Sequence, residues 1–214
     1  MTHHEQTSAL EQVRQALQPG RVYRRVDLAT LSNAVDRHLQ ALVHAGDLRK
    51  LAQGLYYAPR KSVFGELPPD DAELVRSFLR DDDFLLFSPS AYNTVGLGTT
   101  QLYNRTVVYN RKRHGQFRLG NREFDFRVKP RFPHTLSTEF LFVDLLNNVD
   151  ELAEDVSAVW ARAERKLTQL DSDGLSQALR AYGNVATRKR LAGACRAAAR
   201  GLQATKKAIH KQER

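Results

Sequence analysis

Apolar residues in the first sixty positions recur at helical spacing and then at strand spacing. Leu10, Val13 and Leu17 fall on one helical face behind Ser8, a suitable N-cap, and Pro19-Gly20 ends that helix. Val26, Leu28 and Leu31 predict a short second helix, with Asp27 near its start and Ser32-Asn33 as a capping turn after it. Val35, Leu39, Leu42 and Val43 make one apolar stripe of a third helix, whose opposite face carries Asn33, Asp36, Arg37 and Gln40. Gly46 suits the left-handed residue that closes such a helix. LRKLA and GLYYAP, separated by Gln53-Gly54, read as a hairpin. This order over Arg21–Pro59 is that of a winged helix–turn–helix, in which one helix enters a DNA groove and a small hairpin flanks it.

Farther on the pattern changes twice. Residues 60–83 hold Phe64-Gly65, Pro68-Pro69 and an Asp-rich run, features of a connection, with a helix over Asp70–Leu79 that turns Ala72, Val75 and Leu79 inward. FLLF (84–87) and TVVYN (106–110) read as strands, and between them Ser88-Pro89 suits a helix start and Gly96 or Gly98 its end. GQFRL (115–119) and REFDFRVK (122–129) flank the tight-turn dipeptide Gly120-Asn121. The second strand alternates, with Phe124, Phe126 and Val128 on one face and Glu123, Asp125, Arg127 and Lys129 on the other, as a sheet with one covered face requires. From Thr138 onward the spacing is helical, over 139–149, 155–167, 175–182 and a run from Val185 whose apolar face passes through Leu191, Ala194, Ala198 and Leu202. The expected class is α+β. A winged helix–turn–helix over 1–61 and a connecting segment over 62–83 lead to a mixed domain over 84–214, with a small antiparallel sheet and a C-terminal helical bundle.

Composition adds limits. The 214 residues suffice for two small cores, and 42% hydrophobic with 27% charged residues is ordinary for a globular chain. Cys195 is the single cysteine, which excludes an intramolecular disulfide and any multi-cysteine zinc site; on a helix between Ala and Arg it reads as a small packing residue. No apolar run reaches the length of a membrane span, and MTHHEQTS has no basic stretch followed by an apolar one, so a cytoplasmic location and no membrane partner are expected. The net charge of +9 is distributed in alternating blocks: residues 1–61, 62–102, 103–134, 135–187 and 188–214 carry +4, −5, +7, −5 and +8. Basic blocks attract phosphate backbones, or else pair with the acidic blocks beside them.

In that setting the polar face of the third helix acquires a chemistry. Arg is bidentate to guanine and Asn or Gln to adenine, so Asn33, Arg37 and Gln40 stand where base readers would be. Ser32 is placed to donate to a phosphate, and Arg24, Arg25, Arg49 and Lys50 to clamp phosphates on either side, with Gln53 at the hairpin turn. No P-loop, GxGxxG, HExxH or GxSxG pattern occurs, and the seven histidines, His3-His4 among them, lack metal-ligand spacing. No catalytic residue, metal or cofactor is therefore assigned. One arrangement offers an enzymatic alternative, a metal-dependent nuclease using Glu123, Asp125 and Lys129. Strict alternation on an amphipathic strand produces the same spacing, with Arg118 as a cross-strand partner.

Two segments carry a resemblance. LSNAVDRHLQALVHAGDLRKLAQGLYYAP (31–59) and SPSAYNTVGLGTTQLYNRTVVYNRKRHGQFRLGNREFDFR (88–127) are similar to the AbiEi-type antitoxins of bacterial toxin–antitoxin systems and allied winged-helix families. The first resembles the family's wing, through Gly46, the basic pair and GLYY. The second resembles its A-x-x-x-x-GL-T-Q stretch, here Ala91, Gly96, Leu97, Thr100 and Gln101. The resemblance covers most of residues 20–185. It implies a phage-defence antitoxin that represses its own operon by binding double-stranded promoter DNA. Residues 84–214 would counteract a nucleotidyltransferase-like toxin encoded by the adjacent gene; some family members do so without a stable complex. A stand-alone winged-helix regulator is the other reading, and no oligomeric state is read from the sequence.

Overall fold

The computed structural model describes residues 8–97, 105–152 and 154–193. Gly98, Thr100 and Gln101 of the second resembling segment, Cys195, the helix face through Ala194, Ala198 and Leu202, and His3-His4 lie outside the described residues. The protein is α+β, and its contacts divide it into two compact units, Met1–Leu86 with Arg105–Val128, and Phe87–Asn104 with Lys129–Arg214. This division differs from the boundaries at 61/62 and 83/84 expected from composition.

In the first unit, α1 (Ala9–Ala16) starts at Ser8, whose side chain accepts the N–H of Glu11. β1 (Val22–Arg24) leads into α2 (Arg25–Leu28), which tightens to a 3-10 turn over Ala29–Leu31. Of Val26, Leu28 and Leu31, only Leu28 is buried. α3 (Val35–Ala45) ends at Gly46 with φ 81°. β2 (Arg49–Ala52) and β3 (Leu55–Tyr57) form the hairpin about Gln53-Gly54, and the sheet order is β1-β3-β2, antiparallel throughout. Val13, Leu28, Val35, Leu39, Leu42 and Leu48 form a helical core against one face of this sheet, where Tyr23 and Tyr56 also pack.

The other face of the same sheet is buried as well. Val22, Leu55 and Tyr57 join Leu74, Val75 and Leu79 of α4 (Asp71–Leu79), together with Val108, Leu119, Phe124 and Phe126. The residues expected to be a connection are thus integral to the fold. They contain a further hairpin, β4 (Arg60–Ser62) and β5 (Gly65–Leu67), and α4, which turns Leu74 rather than Ala72 to the core. Strands β6 (Phe84–Phe87), β7 (Thr106–Asn110), β8 (Gly115–Leu119) and β9 (Arg122–Val128) form a second sheet of order β6-β7-β9-β8. This sheet is mixed, not antiparallel as expected, because β9 inserts between β7 and β8 and runs parallel to β7. The placement follows burial: Phe124 and Phe126 of β9 are fully buried and take the centre, while Gln116 and Arg118 of β8 are exposed and suit an edge. Phe78, Phe117 and Phe126 pack ring on ring at 5.1–5.5 Å, within the range favoured by aromatic pairs.

Besides this shared core, the three-stranded and four-stranded sheets are joined by a backbone hydrogen bond. The register of β2 shifts between Lys50 and Ala52, and the carbonyl of the intervening Leu51 accepts the N–H of Gly120 at 2.8 Å. Gly120 has φ 62°, a left-handed conformation that favours glycine, and a Cβ there would stand 3.0 Å from the Leu51 side chain.

The second unit is helical. α5 (Thr138–Asn147) buries every residue from Phe140 to Leu146, which marks it as central, and α6 (Val156–Lys166), α7 (Ser172–Tyr182) and a helical segment over 185–193 follow among the described residues. Ser137, Asp155 and Asp171 cap the first three. Residues Pro89–Val95 form a 3-10 helix capped by Ser88 and closed by Gly96, and Tyr92 donates to the buried Asp144 at 2.7 Å. Among the described residues no helix is long and apolar enough to cross a membrane.

Leu42 is fully buried at the centre of the helical core. Leu42→Ala is expected to lower the unfolding free energy by about 2–5 kcal/mol, read from urea denaturation followed by far-UV circular dichroism.

Candidate nucleic-acid interface

The outward side of α3 is set by how the helix begins. Ser32 is buried; its hydroxyl accepts the N–H of Ala34 at 3.1 Å and shares a hydrogen bond with His38 Nδ1 at 2.8 Å. That group, expected to reach a phosphate, instead holds the first turn. With Val35, Leu39 and Leu42 facing the core, Asn33, Arg37 and Gln40 point to solvent at i, i+4 and i+7, and His44 continues the line.

The other expected contacts separate into two groups. Arg24 donates from Nη1 to the carbonyl of Ser77 on α4 at 2.9 Å, and burial holds its guanidinium below the ordinary value. Arg25 grips Asp36 with two bonds of 2.6 Å, and Arg49 grips Glu66 of β5 at 2.8 and 3.2 Å. These three cations and Ser32 are engaged within the fold. Asn33, Arg37, Gln40, Lys50 and Gln53 are exposed, and none has a hydrogen-bond or ion-pair partner among the described residues.

Gln40, Lys50 and Gln53 come together around a cleft of about 430 Å³ between α3 and the β2–β3 hairpin, which Asp36, His44 and Tyr56 also line. Burial, with the nearby Asp36 carboxylate, raises the Tyr56 phenol, so it keeps its proton at neutral pH and offers both a donor and an acceptor. Tyr56 and His44 were not singled out in the sequence. A signal for His44 was present, since it lies one turn beyond Gln40 on the same face; Tyr56 comes opposite Lys50 only through the register shift at Leu51, which the sequence does not show.

Pairing also sorts the basic blocks. In residues 103–134, Arg111 meets Asp83 at 3.3 Å, Lys112 meets Asp81 at 2.9 Å, Arg122 meets Asp71 and Arg127 meets Asp125. Arg111, Lys112 and Arg122, three of the nine basic residues in that block, are thus paired with acids of 62–102. In residues 1–61 Arg14, Arg21, Arg25 and Arg49 are likewise paired with acids, while Arg37, Lys50, Arg60 and Lys61 are exposed and have no acidic partner among the described residues. Along β9, Glu123 stands opposite Arg118 and Arg127 binds the Asp125 carboxylate, the arrangement of an amphipathic strand. Among the described residues no group of three His, Cys, Asp or Glu side chains is placed to hold a metal ion.

Comparison of the chain with family models, with curated proteins and with solved structures finds no match in any of the three.

The hydrogen bonds from Arg25 hold the Asp36 carboxyl below its ordinary value, and those to Asp36 raise Arg25. Because the folded Asp36 value is depressed, the stabilisation is in place above the unfolded carboxyl's pKa and is lost as pH falls through the folded value. A carbon-detected NMR titration is expected to find Asp36 titrating below the exposed carboxylates, and Arg25→Gln is expected to return it to their range.

Proposed function

We propose that the chain is a DNA-binding transcriptional regulator whose residues 9–57 act as a winged helix–turn–helix. In this reading α3 enters the major groove and the β2–β3 hairpin is the wing. The observation that carries it is the set of uncommitted polar side chains: Asn33 in the turn before α3, Arg37 and Gln40 on α3, and Lys50 and Gln53 on the hairpin, of which Gln40, Lys50 and Gln53 line one cleft. The element order and the β1-β3-β2 antiparallel sheet support it. Arg37 is suited to guanine, Asn33 and Gln40 to adenine, and Lys50 to a phosphate.

The resemblance to AbiEi-type antitoxins extends the proposal. The DNA would be the promoter of the chain's own operon, and residues 84–214 would act against a nucleotidyltransferase-like toxin from the adjacent gene. Co-expression of the two genes, scored for rescue of growth, tests the antitoxin role separately; no rescue would leave a stand-alone regulator.

Fluorescence anisotropy with the upstream DNA tests the binding. Arg37→Ala is expected to cost about 1–3 kcal/mol and to relax preference at one base pair, and Lys50→Ala to weaken all sequences alike, lowering the salt slope by about 1. Unchanged affinity in the double variant would remove α3 and the hairpin from the interface.

A further inference from the structure

The hairpin β4–β5 carries a feature that the rest of the fold does not use. Its two-residue turn is Val63-Phe64, with Ser62 and Gly65 paired across it. Val63 is 93% and Phe64 97% exposed, more than any other large apolar side chain among the described residues. The turn is shaped from within: the Ser62 hydroxyl accepts the N–H of Phe64 at 3.2 Å and donates to the Gly65 carbonyl at 2.9 Å, while Gly65 takes φ 107°. Its base is anchored to the first sheet, since Tyr57 donates its hydroxyl to the Leu67 carbonyl at 2.7 Å and Arg49 holds Glu66. A pair of apolar side chains is thus held out in water on an ordered stem.

The charge around the stem selects the kind of partner. Arg60 and Lys61 precede the turn, and both are exposed without an acidic partner among the described residues. The nearest acid along the hairpin, Glu66, lies opposite Lys61 in register but is engaged by Arg49. Arg49 begins β2, and the next residue is the uncommitted Lys50 of the cleft beside α3. The hairpin is therefore cationic, tipped with apolar groups, and tied to the strand that carries Lys50 of the candidate interface. Apolar wedges flanked by Lys and Arg are how proteins enter the minor groove and unstack neighbouring base pairs.

We propose that β4–β5 is a second DNA-contacting hairpin. Phe64 and Val63 wedge into a base step of the minor groove, and Arg60 and Lys61 bind the phosphates beside it. This rests on the DNA-binding reading and adds to it deformation of the duplex, a source of preference at base pairs that α3 does not touch.

The experiment uses the full chain and duplex DNA from the upstream region carrying 2-aminopurine at successive steps, whose fluorescence rises when the base unstacks. Wild-type protein is expected to raise the signal at a localised step. The variant V63S/F64S is expected to lose that rise and to bind about tenfold more weakly, and R60A/K61A to lower the log–log salt slope by about 2. Both variants change exposed positions, and matching thermal melts verify that the fold is intact. Wild-type affinity, salt slope and fluorescence in both variants, alongside weakened binding by R37A/K50A, would overturn the wedge and leave the proposed function standing. Failure of the wild type to bind any duplex would overturn both. Loss of sedimentation with phosphatidylserine vesicles in V63S/F64S, with DNA affinity unchanged, would overturn it in favour of an anionic bilayer.

Discussion

The first unit depends on a three-stranded sheet that is buried on both faces. In β1 and β3 the alternation of side chains sends Val22, Leu55 and Tyr57 to one core and Tyr23 and Tyr56 to the other. A one-residue slip would exchange the two sets, so each core fixes the register needed by the other. The consequence reaches α3, which packs on one face while α4 and the β9 aromatics pack on the opposite one. A helix set against a sheet so constrained presents its outer side chains in one orientation, which the proposed DNA-reading role would require.

Charge follows the same division between structure and availability. Arg24 is drawn to the backbone of α4, Arg49 to Glu66 and Arg25 to Asp36, so the cations nearest the sheet are occupied in holding its neighbours. Surface ion pairs contribute little to stability singly, but they decide which guanidinium groups remain free to meet a ligand. Some of these pairs join a basic block to an acidic one, as Arg49–Glu66 and Lys112–Asp81 do, and others, such as Arg25–Asp36, lie within a single block.

Much of the fold was legible in the sequence because its signals were local. The α3 stripe, the Gly46 stop, the Gly120-Asn121 turn and the alternation of β9 each lie within about one element, where period and turn chemistry are decisive. The features that were not legible depend on distant partners. β4 and β5 are three residues each, too short to show a period, and Phe64-Gly65 has the composition of a loop. The parallel pairing of β7 with β9 is decided by which strand has the most to bury, a comparison among strands that no single segment contains. At the site, exposure on a helix face could be read from spacing. The commitment of Arg24, Arg25, Ser32 and Arg49 could not, since Ser77, Asp36, His38 and Glu66 are brought to them only by folding.

The Arg25–Asp36 pair shows how a residue can serve the proposed DNA-facing surface without touching DNA. Asp36 lies on the outward half of α3, one residue before Arg37 and one turn before Gln40. An isolated carboxylate there would repel the phosphates that Lys50 is suited to attract, and its field would reach all of the cleft within a Debye length. The fork of Arg25 offsets that charge at contact distance and holds the carboxylate in one place. Arg25 begins α2, the segment that joins the sheet to α3, so the same bond that neutralises the surface ties the helix to its scaffold. On this argument the neutralised acid belongs to the proposed interface, because it sets which of its neighbours carry net charge.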